Sequence, residues 1–176
     1  MTATFEPFQD RLSRDIRNSL SRAFVEATDR LDPEPVRRAA ARFLSQAIGE
    51  CYREYIAERL RRYEKALAGL RRGPATVLRR AAVLWDLHLF FEVHELLEEA
   101  WLAAAGEEKL VLQAMIRAAG VYIKLEYGYR EAAVKMAARA LPVLVAHRET
   151  LAPFFDPEPL LQALTKPMFP PPQLLA

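Results

Sequence analysis

The densest run of acid–base groups in this chain is Phe90-Phe91-Glu92-Val93-His94-Glu95-Leu96-Leu97-Glu98-Glu99-Ala100-Trp101. A histidine and a carboxylate one helical turn apart are the parts of a proton-transfer centre: the imidazole moves the proton and the carboxylate orients it. At about 100° per residue, Glu92, Glu95, Glu99 and His88 share a narrow polar face. His94 and Glu98 fall instead among Leu87, Phe90, Phe91, Leu97 and Trp101. The pattern therefore predicts that His94 and Glu98 turn inward. An unanswered charge there costs several kcal/mol, roughly, so the pair requires partners.

The next helix offers them. Lys109, Gln113, Arg117, Gly120 and Lys124 recur at three- and four-residue spacing on a segment that is otherwise apolar. A solvent-facing Gly120 in mid-helix would cost about 1 kcal/mol against alanine with no return. A short loop also makes the two helices antiparallel neighbours. The expectation is a buried polar seam, with His94 and Glu98 facing Gln113, Arg117 and Lys124. Arg117 would be the forked partner of Glu98, and Gln113 would fix the imidazole tautomer. Gly120 would leave room for close approach or a ligand. Such a seam either sets helix register or forms a pocket for a small anionic or polar molecule, with Trp101 as core or as pocket wall.

No metal and no cofactor is expected. Zinc-protease helices need two histidines at i and i+4, whereas the second position here is Glu98. A ferritin-like site needs a repeated Glu-x-x-His pair, and none is present.

The elements that must position these groups are helical throughout. Phe5, Phe8, Leu12, Ile16, Leu20, Phe24, Ala27 and Leu31 form one amphipathic stripe, broken by Asp32-Pro33-Glu34-Pro35. A second stripe runs from Val36 to Leu70 and reads as one long helix unless Gly49 bends it; Gly73-Pro74 ends it. A third helix spans Pro74 to about Trp85, with Asp86 as N-cap of the fourth, which carries the motif to about Ala104. The fifth runs from Gly106 to Tyr127. The sixth covers Arg130 to His147, kinked or restarted at Pro142. Beyond Leu151 the prolines predict an extended tail with one helical turn near Leu160–Leu164. The expectation is an all-α antiparallel bundle of about six helices. It divides into an N-terminal hairpin (1–73), a motif-bearing domain (74–150) and a Pro-rich tail (151–176).

Composition narrows the function classes. A net charge of +2 and a pI near 8.8 fall short of the dense basic footprint of an obligate nucleic-acid binder. The doublets Arg37-Arg38, Arg61-Arg62, Arg71-Arg72 and Arg79-Arg80 keep nucleic acid as a third-ranked partner, although Glu58 and Glu64 suggest solvated faces. The single cysteine, Cys51, excludes an internal disulfide and fits a reducing compartment. Without a secretory pattern or a bilayer-length apolar run, a cytoplasmic protein with no membrane partner is expected.

The stretch from about Ala81 to Leu144 resembles the small all-helical bacterial and archaeal family called domain of unknown function 309. The shared text is an aromatic pair, then His-Glu-x-Leu-Glu-x-x-Trp, then a Gln-x-x-Ile-x-x-Ala helix closed by glycine. Here it reads Phe90-Phe91, His94-Glu95, Leu97-Glu98, Trp101, then Gln113, Ile116, Ala119 and Gly128. The resemblance implies antiparallel helix pairs and no established activity. This chain departs from the pattern at Arg117, usually glutamine, and at Lys124, often histidine. Both changes add positive charge opposite the expected buried carboxylate. The first seventy or so residues lie outside the resemblance.

The leading expectation is thus a non-enzymatic scaffold or interaction module, its long N-terminal hairpin suited to pairing with a second copy. The alternative is a small-ligand or acid–base site centred on His94 and Glu98.

Overall fold

Asp10 opens the first helix. Its carboxylate accepts the backbone N–H groups of Leu12 and Ser13 at 3.3 and 2.8 Å, satisfying amides that a helix start leaves without partners. The computed structural model describes residues 4–73 and 75–175. In it, α1 (Arg11–Arg30) runs from this cap to Leu31, whose left-handed backbone (φ 53°) ends the helix. The second stripe forms two helices, α2 (Glu34–Leu44) and α3 (Glu50–Leu70), separated by the non-helical residues 45–49, so the one long helix gives way to a break that ends at Gly49 rather than a bend there. Gly49 is extended and precedes α3 as its N-cap.

The chain divides into two compact units, Met1–Arg72 and Gly73–Ala176. The first is α1 to α3, closed over Ile16, Leu20, Phe24, Ile56 and Tyr63. The Phe24 and Tyr63 rings stack at 4.2 Å. Cys51 is free and only half-buried.

The second unit holds α4 (Val77–Asp86), α5 (Phe90–Ala103), α6 (Gly106–Glu126), α7 (Arg130–Ala146), α8 (Arg148–Leu151) and α9 (Glu158–Thr165). The protein is all-α, and among the described residues there is no strand. Helices exceed the expected six because the second stripe breaks, the short α8 follows α7, and the tail contributes α9. Pro142 lies inside a continuous α7.

Two tight turns set the site-bearing helices. At the end of α4, His88 takes a left-handed conformation (φ 56°). The Leu89 N–H then reaches back to the Leu84 carbonyl at 3.0 Å and the His88 N–H to Trp85 at 2.8 Å. This double closure ties off the last carbonyls of α4 and starts α5 at Phe90. Gly128 (φ 80°) does the same for α6, with the Tyr129 N–H bonded to the Lys124 carbonyl at 2.9 Å.

Asp86 is therefore the last residue of α4 and not the N-cap of α5; that position falls to Leu89, without a side-chain bond. The Asp86 carboxylate instead accepts the Leu174 and Leu175 N–H groups at 2.7 and 2.9 Å. Beyond α9, which packs on α7, the proline-rich end is held against α4, and Pro167, Pro171 and Leu174 are buried. Beneath it lies an aromatic cluster in which the Trp85 ring meets Phe90 and Tyr122 edge-on, both at 5.1 Å. Burying side chains of this size stabilises a fold by about 1.5–3 kcal/mol each.

Candidate functional site on helices α5 and α6

Helix α5 is apolar around most of its circumference, and it packs on α4 as well as α6. Its buried arc comprises Phe90, Glu92, Val93, Leu96 and Leu97. That arc is rotated from the one the sequence pattern predicts. Glu92, assigned to the polar face, is fully buried. His94 and Glu98, expected inside, have side chains 30 % and 51 % exposed. The inward-turned pair is thus corrected to a pair at the solvent edge of α5. Its cause is the position of two neighbouring helices, because the spread of apolar residues does not single out one inward direction.

The edge location still gathers a constellation. His94 Nδ1 lies 3.5 Å from Glu95 Oε1 and 3.9 Å from Glu98 Oε2. One ligand atom from each of the three residues falls within 4.8 Å of the others. Nδ1 is sealed from solvent and has no hydrogen-bond partner among the described residues. The imidazole lies parallel to the Phe91 ring, centroids 6.2 Å apart. Glu95 is the member that sequence reasoning missed: helical periodicity assigned it to the opposite face, whereas its flexible side chain reaches back to the adjacent imidazole.

Helices α5 and α6 run antiparallel. The Lys109 ammonium sits 4.4 Å from the Trp101 ring centroid at one end, and Phe90 stacks on Tyr122 at 5.2 Å at the other. This register sets His94 level with Arg117 and Glu98 level with Gln113. Both α6 residues are half-buried, as is Trp101. Among the described residues, no ion pair or hydrogen bond joins Glu98 to Arg117; Glu98 faces the His94 imidazole, 3.9 Å away. Lys124 lies further along, its ammonium 5.1 Å from the Tyr129 ring centroid. Gly120 has a different purpose from the one expected. A Cβ there would overlap the methyl end of Met136, so the glycine admits α7. The expected buried seam becomes a half-exposed rim with two carboxylates beside one imidazole.

At least one arginine of each doublet is engaged within the fold. Arg61 and Arg62 both pair with Glu58, and Arg37 lies 3.9 Å from Glu64. Arg71 donates to the Leu31 carbonyl and Arg79 to that of Phe154, each at 2.9 Å.

Among the described residues, no helix is long and apolar enough to cross a membrane. No curated protein and no solved structure matches the chain. Residues 78–136, which hold the whole α5–α6 constellation and span about a third of the chain, match the family model described as Domain of unknown function (DUF309).

Proposed function

We propose that this is a non-enzymatic helical binding module, and that its α5–α6 rim takes a divalent transition-metal ion on His94, Glu95 and Glu98. One observation carries the reading: a buried imidazole nitrogen with no hydrogen-bond partner faces two carboxylates on the same helix. Two acids around one histidine make a negative site, which favours a cation over the anionic ligand that the sequence suggested. Ligand atoms bound to zinc at about 2.1 Å in tetrahedral geometry lie roughly 3.4 Å apart, so small rotations of the two glutamates suffice. In this reading, Gln113 and Arg117, level with the site on α6, would bond a fourth ligand or hold the outer carboxylate oxygens. Trp101 and Lys124 bound the rim along its length. This departs from the expectation of no metal, which rested on spacing rules that a His-Glu-x-x-Glu arrangement does not follow.

The test is calorimetric titration of the metal-stripped full chain with Zn²⁺, Ni²⁺ and Mn²⁺. One ion per chain is expected, with binding lost in His94→Ala and weakened at least tenfold in Glu98→Gln. Absence of saturable binding, or unchanged binding in His94→Ala, overturns the reading.

A second reading is a scaffold that pairs with its own copy. Leu102 and Leu110, 69 % and 51 % exposed on either side of the α5–α6 turn, favour it. Sedimentation of wild type against Leu102→Glu/Leu110→Glu tests this. A wild-type chain that stays at 20.0 kDa at high concentration defeats the reading.

A further inference from the structure

We propose a second binding site, independent of the His94 rim: an apolar cavity of about 500 Å³ that takes a small hydrophobic amine. It opens between the N-terminal ends of α4 and α6 and the α8 turn. Leu78, Val111 and Leu112 contribute its apolar lining, and each is almost wholly withdrawn from solvent. Phe154 lines it from the α8 side. The Phe154 carbonyl is pinned by the Arg79 guanidinium at 2.9 Å, which fixes that wall and occupies the nearby cation. The volume lies within the range of about 300–1,000 Å³ typical of small-molecule pockets.

Charge selects the occupant. Among the described lining residues the charged ones are Glu107 and Glu108, both carboxylates in the first turn of α6. A ligand that fills this space must bring an apolar body to the floor. To gain from the rim it must also place a cation beside the two glutamates, and a carboxylate on the same body would meet like charge. A primary ammonium carried on an aliphatic or aromatic body satisfies both requirements.

The experiment titrates the full-length protein with three molecules that share one body, 2-phenylethylamine, 2-phenylethanol and phenylacetate, while methyl resonances are followed by NMR. The amine is expected to bind tightest, to shift the methyl signals of Leu78, Val111 and Leu112, and to exceed the alcohol by roughly three- to tenfold, as partly exposed ion pairs allow. The variant Glu107→Gln/Glu108→Gln should level the three affinities. Thr76→Trp and Thr150→Trp place bulk at the mouth from exposed positions, and Thr76 makes no side-chain cap bond that would be lost. Either should block the amine. No binding of the amine at millimolar concentration overturns the proposal. So does equal or stronger binding of phenylacetate, or binding that persists in both tryptophan variants.

Discussion

The indole N–H of Trp85 donates to the carbonyl of Pro172 at 2.9 Å, a bond between residues 87 positions apart. It buries the polar edge of the largest core side chain while holding down a segment with little secondary structure. The adjacent Asp86 completes the attachment through its two bonds to the Leu174 and Leu175 amides. Together these contacts make the proline-rich end part of the fold of the second unit.

Asp86→Ala removes both acceptors. We expect a net loss of about 1–2 kcal/mol, since two partly buried amides lose their partner. The exchange of the Leu174 and Leu175 amides should rise towards that of free chain. Hydrogen exchange read by NMR checks this; unchanged protection would show that Trp85 and the buried prolines hold the segment alone.

Asp86 and Asp10 should act oppositely on stability against pH. Burial raises the Asp86 pKa above 3.8, outweighing the bonds from Leu174 and Leu175. Its favourable contribution is therefore full below 3.8 and declines as pH rises through the raised folded value. The Asp10 pKa is lowered, mainly by the Ser13 hydroxyl. Its contribution is present above 3.8 and disappears as pH falls through the lowered folded value. Urea melts between pH 2.5 and 6, roughly, should show Asp10→Asn flattening the acid-side loss in the first unit and Asp86→Ala removing a slope of the other sign.

Two of the glutamates of α5, Glu92 and Glu98, should exchange the roles that periodicity suggests. Glu98→Gln alters a half-exposed group and should change stability by about 0.5 kcal/mol or less. Glu92→Ala empties a fully buried position and strands whatever bonded it, at a cost of about 2–4 kcal/mol. Thermal or urea unfolding decides between them, and a larger loss for Glu98 would contradict the observed orientation of α5.

At Gly120 the opposing terms are comparable. Alanine gains about 1 kcal/mol of helix propensity but must push aside the flexible methyl end of Met136. Gly120→Ala should therefore be close to neutral. Gly120→Val should cost about 2–3 kcal/mol, and part of that loss should return in Gly120→Val/Met136→Ala. A double-mutant cycle showing no coupling would mean that α7 does not approach here.

The all-α class and most helix ends were legible because they follow from local chemistry. Three- and four-residue spacing of apolar side chains, the Asp32-Pro33 break and the Gly128 turn act within a few residues of themselves. The motif residues His94 and Glu98 were also visible as a pair, since one helical turn brings them together in any packing. The direction α5 faces was decided elsewhere. That helix offers apolar groups on nearly every side, so only its two neighbouring helices determine that Glu92 goes inside and that His94 stays at the rim. The same holds for Gly120, which serves α7 rather than α5, and for Asp86, which serves the chain's far end rather than the helix after it. Such assignments depend on which surfaces meet across many residues. Periodicity along one helix carries no record of them.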